Sequence, residues 1–230
     1  MQVTRRQILD ILKRRGGGTV DELAREMELA PMTVRQHLAV LERDNLVKSR
    51  EVRRQTGRPH YVYTLTGEGE DLFPKSYERL AEKVLREARY LKQEEMADLD
   101  GEKMVALLFQ KLAHRMVAIH APEMEGLALE QRVSTLTRIC RERGTLAEWD
   151  KTGVAFIIRE YNCPYFRVAQ AHDDILCQWH LQFLAEALQA DITLTSTLIR
   201  GDNTCRYLVR EKTANAKRPT EPSNALIGIA

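Results

Sequence analysis

The chain of 230 residues is short of cysteine, with four, and no two of them stand in a CxxC pair. A zinc ribbon and a thioredoxin-like redox pair are therefore disfavoured, and the four read as reduced thiols more readily than as a disulfide framework. No apolar run approaches the roughly 18 residues that a membrane helix needs. The first ten residues, MQVTRRQILD, lack the apolar core of a signal peptide, so the expected compartment is the cytoplasm. Net charge is small, +2, and predicts no partner by itself. No nucleotide-binding loop, paired-carboxylate signature or nucleophile motif is present, and the chain is not expected to be an enzyme.

What is present is a soluble composition, 43% hydrophobic and 30% charged, long enough for two modest domains. Charge is unevenly spread. Residues 1–66 hold 13 Lys/Arg against 8 Asp/Glu, an excess of +5, which leaves −3 for the remainder. A basic front half hints at a polyanion.

Thr4 and Gln7 have capping-box spacing ahead of an Ile8–Leu12 helical pattern that Gly16-Gly17-Gly18 ends. Thr19 and Glu22 repeat the signal for a second helix. Pro31 suits the first position of a third, in which Val34, Leu38 and Leu41 share one apolar face and Thr33, Arg35 and Gln36 point out. Two strands follow, residues 46–54 and 60–65, around the basic turn Gln55-Thr56-Gly57-Arg58-Pro59. Three helices and a hairpin make a winged helix-turn-helix. In that fold the third helix reads the major groove of double-stranded DNA: Arg35 suits guanine, Gln36 adenine, and Thr33 a phosphate or a thymine methyl. Arg53, Arg54 and Arg58 on the wing suit phosphates.

From Pro74 to about Met96 the pattern is helical, with Tyr77, Leu80, Val84, Ala88 and Leu91 in a narrow stripe. That stripe either packs on the next domain or pairs with its copy in a homodimer. The dimer is favoured, since one winged helix contacts only a half-site, and two-fold symmetry implies an inverted-repeat operator. Further on, helices are expected near 104–116, 129–143 and 175–189, with strands at 146–149, 154–158, 192–199 and 205–209. The expected fold is α+β: a winged helix over 1–66, a linker or dimerisation helix over 67–100, a sensor domain with a small antiparallel sheet over 101–212, and a disordered polar tail over 213–230.

The sensor contains YNCPYFRVAQAHDDILCQWH, residues 161–180, and later CRYLV. Cys163 precedes a proline, a step that recurs at thiolate ligands of iron–sulfur clusters. Cys177 stands near a helix start, where the dipole favours thiolate, and Cys205 opens a strand. Thiolates suit an iron–sulfur cluster, Zn(II) or Cu(I). The gaps of 13 and 27 residues match no short metal signature, so separate buried thiols remain open on spacing alone. Cys140 lies in an apolar helix stripe and reads as core.

The pairing of MTVRQHLAVLERDNLV with GRPHYVYTLTGEGEDLFPKSYERL resembles the ArsR/DeoR-like winged-helix repressors. With NCPYFRVAQAH, ILC and the Cys-Arg-Tyr strand added, the chain looks most like the SufR repressors of cluster-assembly (suf) genes. The resemblance implies a cluster, [4Fe-4S], on Cys163, Cys177 and Cys205. A fourth ligand could come from His172, His180, Asp173 or Asp174, or a small molecule. Relatives often carry acidic residues after the second cysteine, where this chain has Gln178-Trp179-His180. The alternative is a winged-helix regulator whose sensor binds zinc or a small molecule.

Overall fold

A computed structural model describes residues 2–52, 60–172 and 174–212. The wing-tip residues Arg53, Arg54 and Arg58, the candidate ligand Asp173, and the tail from 213 to 230 lie outside the described residues. The architecture is the α+β arrangement expected: an N-terminal helix-turn-helix with a wing, then helices against a small antiparallel sheet.

The winged helix comprises α1 (Val3–Arg15), β1 (Gly18–Thr19), α2 (Val20–Glu26), α3 (Pro31–Arg43), β2 (Val47–Val52) and β3 (His60–Leu65). The cap expected at Thr4 is not used. Helix α1 starts two residues earlier than a Thr4 cap implies: Gln2 is its N-cap, and no side chain caps it. The Thr19 cap forms as expected: its hydroxyl accepts from Glu22 N, and Glu22 reaches back to Thr19 N at 2.7 Å. That short reach brings β1 against β3, a strand that two residues of sequence give no period to reveal. Ile8, Leu9, Leu12, Leu23, Val34, Leu38 and Leu41 form the core of this half, closed by Phe73.

After α4 (Gly67–Asp71) the chain passes from that core to a second one. The helix expected from Pro74 to Met96 is broken into α5 (Tyr77–Ala88) and α6 (Gln93–Met96). At the break the backbone tightens (Tyr90 N donates to Glu87 O, Leu91 N to Ala88 O), and Glu95 then accepts from Lys92 N at 3.1 Å to start a new turn. Part of the expected dimer stripe turns inward: Leu80 and Val84 pack into the sensor core with Leu112 of α7 (Gly101–Met124), a helix about 36 Å long. A two-pronged ion pair between Glu87 and Arg115 fixes α5 on α7. Leu85, 67% exposed, faces outward.

The sensor continues with α8 (Leu129–Glu142), β4 (Ala147–Thr152), β5 (Ala155–Glu160), α9 (Phe166–Ala171), α10 (Ile175–Leu188), β6 (Ala190–Ser196), a 3-10 turn (Leu198–Arg200) and β7 (Cys205–Glu211). Its sheet is antiparallel, in order β4-β5-β7-β6. Helices α8 and α10 bury Leu136, Ile139, Phe183 and Leu184 against Ile158, Tyr207 and Val209 of the sheet.

Gly69 of α4 shows how closely the wing is packed. A Cβ there would stand 2.1 Å from the carbonyl oxygen of Leu46. Because the obstacle is backbone, Gly69→Ala is expected to destabilise the chain by about 1–3 kcal/mol. Urea unfolding checks this, and an unchanged midpoint would count against the packing described.

Candidate metal centre and nucleic-acid interface

The sensor's chemistry gathers where β5 ends. Glu160, its last residue, stands opposite Cys205, the first residue of the β5-paired part of β7. Two residues on, the chain turns through Asn162, Cys163 and Pro164. Helix α10 carries Cys177 in its first turn and His180 one turn later, and α8 carries Cys140 near its end. These residues all line one small cavity of about 50 Å³, together with Tyr207, Trp179, Tyr165 and Arg143. All four cysteines are free thiols.

The three cysteines singled out in the sequence are thus brought together. Thr197 links two of them: its hydroxyl accepts from Cys205 Sγ at 3.8 Å and also hydrogen-bonds Cys177. Cys163 is close enough to both for their charges to act on its thiol. His180 reaches the cavity. His172 is exposed at the end of α9 and does not line it, and Asp174 is paired with Arg200 at 2.8 Å.

The helix-start argument for a Cys177 thiolate does not hold in the free thiol. Burial dominates, followed by the Cys205 and Asp174 charges, and the Cys177 thiol is pushed up to about 11. Burial pushes Cys163 to about 12, with Cys205 and Cys177 adding, against one opposing backbone hydrogen bond from Tyr165. Cys205 is raised by burial too. At neutral pH these are protonated sulfurs, poor nucleophiles unless a cation draws off the proton.

Three cavity groups were not singled out in the sequence as parts of a site. Glu160 is only 3% exposed. Its Oε2 meets His180 Nε2 at 2.9 Å and accepts from the Tyr207 hydroxyl at 3.4 Å, while Oε1 has no partner. The available signal was a lone acid closing the strand AFIIRE, whose first four residues are apolar. Cys140, read as core, is buried as expected but also lines the cavity. Asn162, 1% exposed, donates to Pro74 O at 2.9 Å and to Gly144 O at 2.7 Å, and accepts from Lys75 Nζ at 3.3 Å.

Those bonds tie the Cys163 loop to the segment that leaves the winged helix. Ser76 N also donates to Pro164 O at 3.0 Å, and Gly144 packs directly on Pro74. A second seam joins α1 to the sensor: Asn203 donates to Arg15 O at 3.2 Å, and Arg14 pairs with Glu148 and lies over the Tyr161 ring.

On the other side of the winged helix, Arg35 and Gln36 are exposed on α3, and Thr33 is half-buried. Arg35 borders an open groove between the start of α2 and the β3 residues His60–Tyr63.

Residues 3–50 match the family described as "Helix-turn-helix domain". Together with strands β2 and β3, this part of the chain has the helix-turn-helix-and-wing arrangement. Among solved structures, the chain is similar to a transcriptional regulator homologue from Pyrococcus horikoshii OT3, at 31% identity over 28% of this chain and 63% of that one, with a TM-score of 0.26. The chain therefore spans less than two thirds of that protein. It is also similar to Bacillus subtilis PadR solved in complex with operator DNA, at 16% identity over 82% of this chain and 92% of that one, with a TM-score of 0.30. No curated protein matches the chain.

The buried thiols set a pH dependence. In the unfolded chain Cys163 ionises near its ordinary value of 9.0, but in the folded chain only near 12. Between those values the unfolded state holds fewer protons, so stability falls as pH rises. The metal-free protein is expected to lose stability from about pH 9 upward, and Cys163→Ser to flatten that loss. Denaturant midpoints measured from pH 7 to 11 check this. Equal slopes in the two proteins would refute the burial of that thiol.

Proposed function

We propose that the chain is a homodimeric, cytoplasmic transcriptional repressor that senses iron–sulfur cluster status and controls cluster-assembly (suf) genes. Cys163, Cys177 and Cys205 would hold the cluster, a [4Fe-4S] centre. The observation that supports the reading is that these three thiols, distant in sequence, line one cavity, with Thr197 hydrogen-bonded to two of them. The donor set fits: soft sulfurs in a mostly apolar enclosure, with a carboxylate and an imidazole beside them. When bound, the cluster supplies a centre that oxidation or iron shortage removes.

The chain's own residues do the rest. Cys163 and Pro164 stand on the loop that Asn162 and Ser76 join to the winged helix. Binding would release the three thiol protons to solvent, and drawing the resulting thiolates onto a common centre would pull on that loop. Emptying the site releases it, and the two recognition helices of a dimer change their spacing. Such a switch requires the filled and empty sites to favour different half-site geometries, since equal affinity for both conformations shifts nothing. Two copies are needed because a single winged helix reads only a half-site of an inverted repeat.

A second reading has support in the cavity itself. Leu176, Met116 and Trp179 give it apolar walls, as small-molecule sites have. A regulator sensing a small apolar ligand would fit those walls, but it leaves the grouping of three cysteines without a purpose.

Anaerobic purification with iron and sulfide counts separates the two readings. Cys163→Ser, Cys177→Ser and Cys205→Ser are each expected to abolish the cluster and its broad visible absorption. Cys140→Ser is expected to retain it. A colourless, iron-free wild-type protein would sink the reading. On the DNA side, Arg35→Ala is expected to weaken binding to the preferred duplex by about 1–3 kcal/mol, and to relax preference at one base pair per half-site. Fluorescence anisotropy on duplexes enriched from a random pool measures both.

A further inference from the structure

We propose that Cys140, Glu160 and His180 form a mononuclear site for a divalent cation of the zinc class, separate from the three-cysteine set. One sulfur, one carboxylate oxygen and one ring nitrogen, from α8, β5 and α10, all lie within 4.8 Å of one another. Donors around a tetrahedral ion with bonds of about 2.0–2.3 Å stand about 3.3–3.8 Å apart. Only small side-chain rotations are therefore needed to close on an ion. The mixed S, O, N set suits Zn(II) or Co(II) and is wrong for Mg(II) or Ca(II), which take oxygen.

The metal-free arrangement is incomplete in a way that a cation would complete. Glu160 is buried, yet its Oε1 has no hydrogen-bond partner, and an unpaired buried carboxylate oxygen is costly. Arg143 lines the same cavity, but its guanidinium lies over the Phe183 ring and contacts Met116 Sδ. The groups facing Glu160 are His180, Tyr207 and the cysteines, with Thr204 bonded to its backbone oxygen. A dication balances the charges. The Cys140 thiol gives its proton to solvent as the Sγ–metal bond forms. Thiolate, carboxylate and dication then sum to zero with His180 neutral. His180 binds through Nε2, its ring proton on Nδ1, and the Nε2 hydrogen bond to Glu160 is replaced by coordination. Tyr207 O–H stays on Oε2 and orients the carboxylate, as outer partners do in metal sites. Three protein donors leave the fourth position open to the cavity, the arrangement of a site that exchanges a ligand.

None of Cys163, Cys177 and Cys205 takes part, so the site stands whether or not those three hold a cluster. The test uses the full chain carrying Cys163→Ser, Cys177→Ser and Cys205→Ser together, stripped of metal and titrated with Co(II). One equivalent is expected to bind, with a sulfur-to-cobalt charge-transfer band and the visible bands of four-coordinate cobalt, and Zn(II) displaces it. Adding Cys140→Ser removes the charge-transfer band, and Glu160→Gln or His180→Gln removes tight binding. The proposal is overturned if the folded triple variant binds no cobalt, or if its spectrum is indifferent to Cys140→Ser. Should the triple variant fail to fold, the same titration on metal-free wild type and on Cys140→Ser decides. Loss of one thiolate-bound equivalent supports the site, and identical spectra exclude it.

Discussion

One side-chain amide holds the two halves of this protein in register. Asn162 is sealed from water, so each of its polar atoms must find a protein partner or stand unpaired at a cost of about 1–3 kcal/mol. Its partners come from three separate stretches: Pro74 and Lys75 beyond the winged helix, and Gly144 at the end of α8. Its own backbone N–H donates to Thr145 O at 2.9 Å. The next residue is Cys163. On the proposed reading, a strain at the sulfurs would arrive within one peptide unit at this junction, one of the two seams that hold the winged helix against the sensor. The contact between Gly144 and Pro74 leaves that junction little free space. An interface of this kind is better suited to two discrete arrangements than to gradual bending.

The cavity gathers costs that a metal centre would offset. Three thiols, Cys205 buried and Cys163 and Cys177 half-buried, are held protonated, and a buried carboxylate lines the same cavity with one oxygen unmatched. Soluble domains rarely leave a buried acid incompletely paired without a reason. The sulfurs of Cys163, Cys177 and Cys205 and the mixed donors of Cys140, Glu160 and His180 share the same walls. On the proposed reading, one set would suit a cluster and the other a single ion.

Much of the fold was legible because its signals are local. Val34, Leu38 and Leu41 mark the buried face of α3, Pro31 its start and Thr19 the start of α2, and β3 falls on the expected residues His60–Leu65. The failures have local causes too. Two-residue β1 has no period, and Gln2 begins α1 without the Thr4 hydroxyl. The stripe from Tyr77 to Leu91 reads from sequence as a dimer seam in preference to packing on the next domain, and Leu80 and Val84 pack within their own chain. At the site, the three cysteines could be chosen by residue type and likeness. Glu160, Asn162 and Thr197 could not, because their importance comes from what the sheet and loops bring beside them. Cys140 shows the same limit: an apolar helix face predicts its burial and says nothing of the acid and imidazole it meets.

The central claim is that the state of the cysteine cavity reaches the DNA-reading helix through Asn162. The most direct measurement compares affinity for one enriched duplex with the centre loaded and with it stripped, in wild type and in Asn162→Ala. The account predicts a clear loaded-to-stripped ratio in wild type, on the order of the 5- to 150-fold typical of coupled sites, and a ratio near one in the variant while iron content is unchanged. A folded, fully loaded Asn162→Ala protein that keeps the wild-type ratio would contradict it.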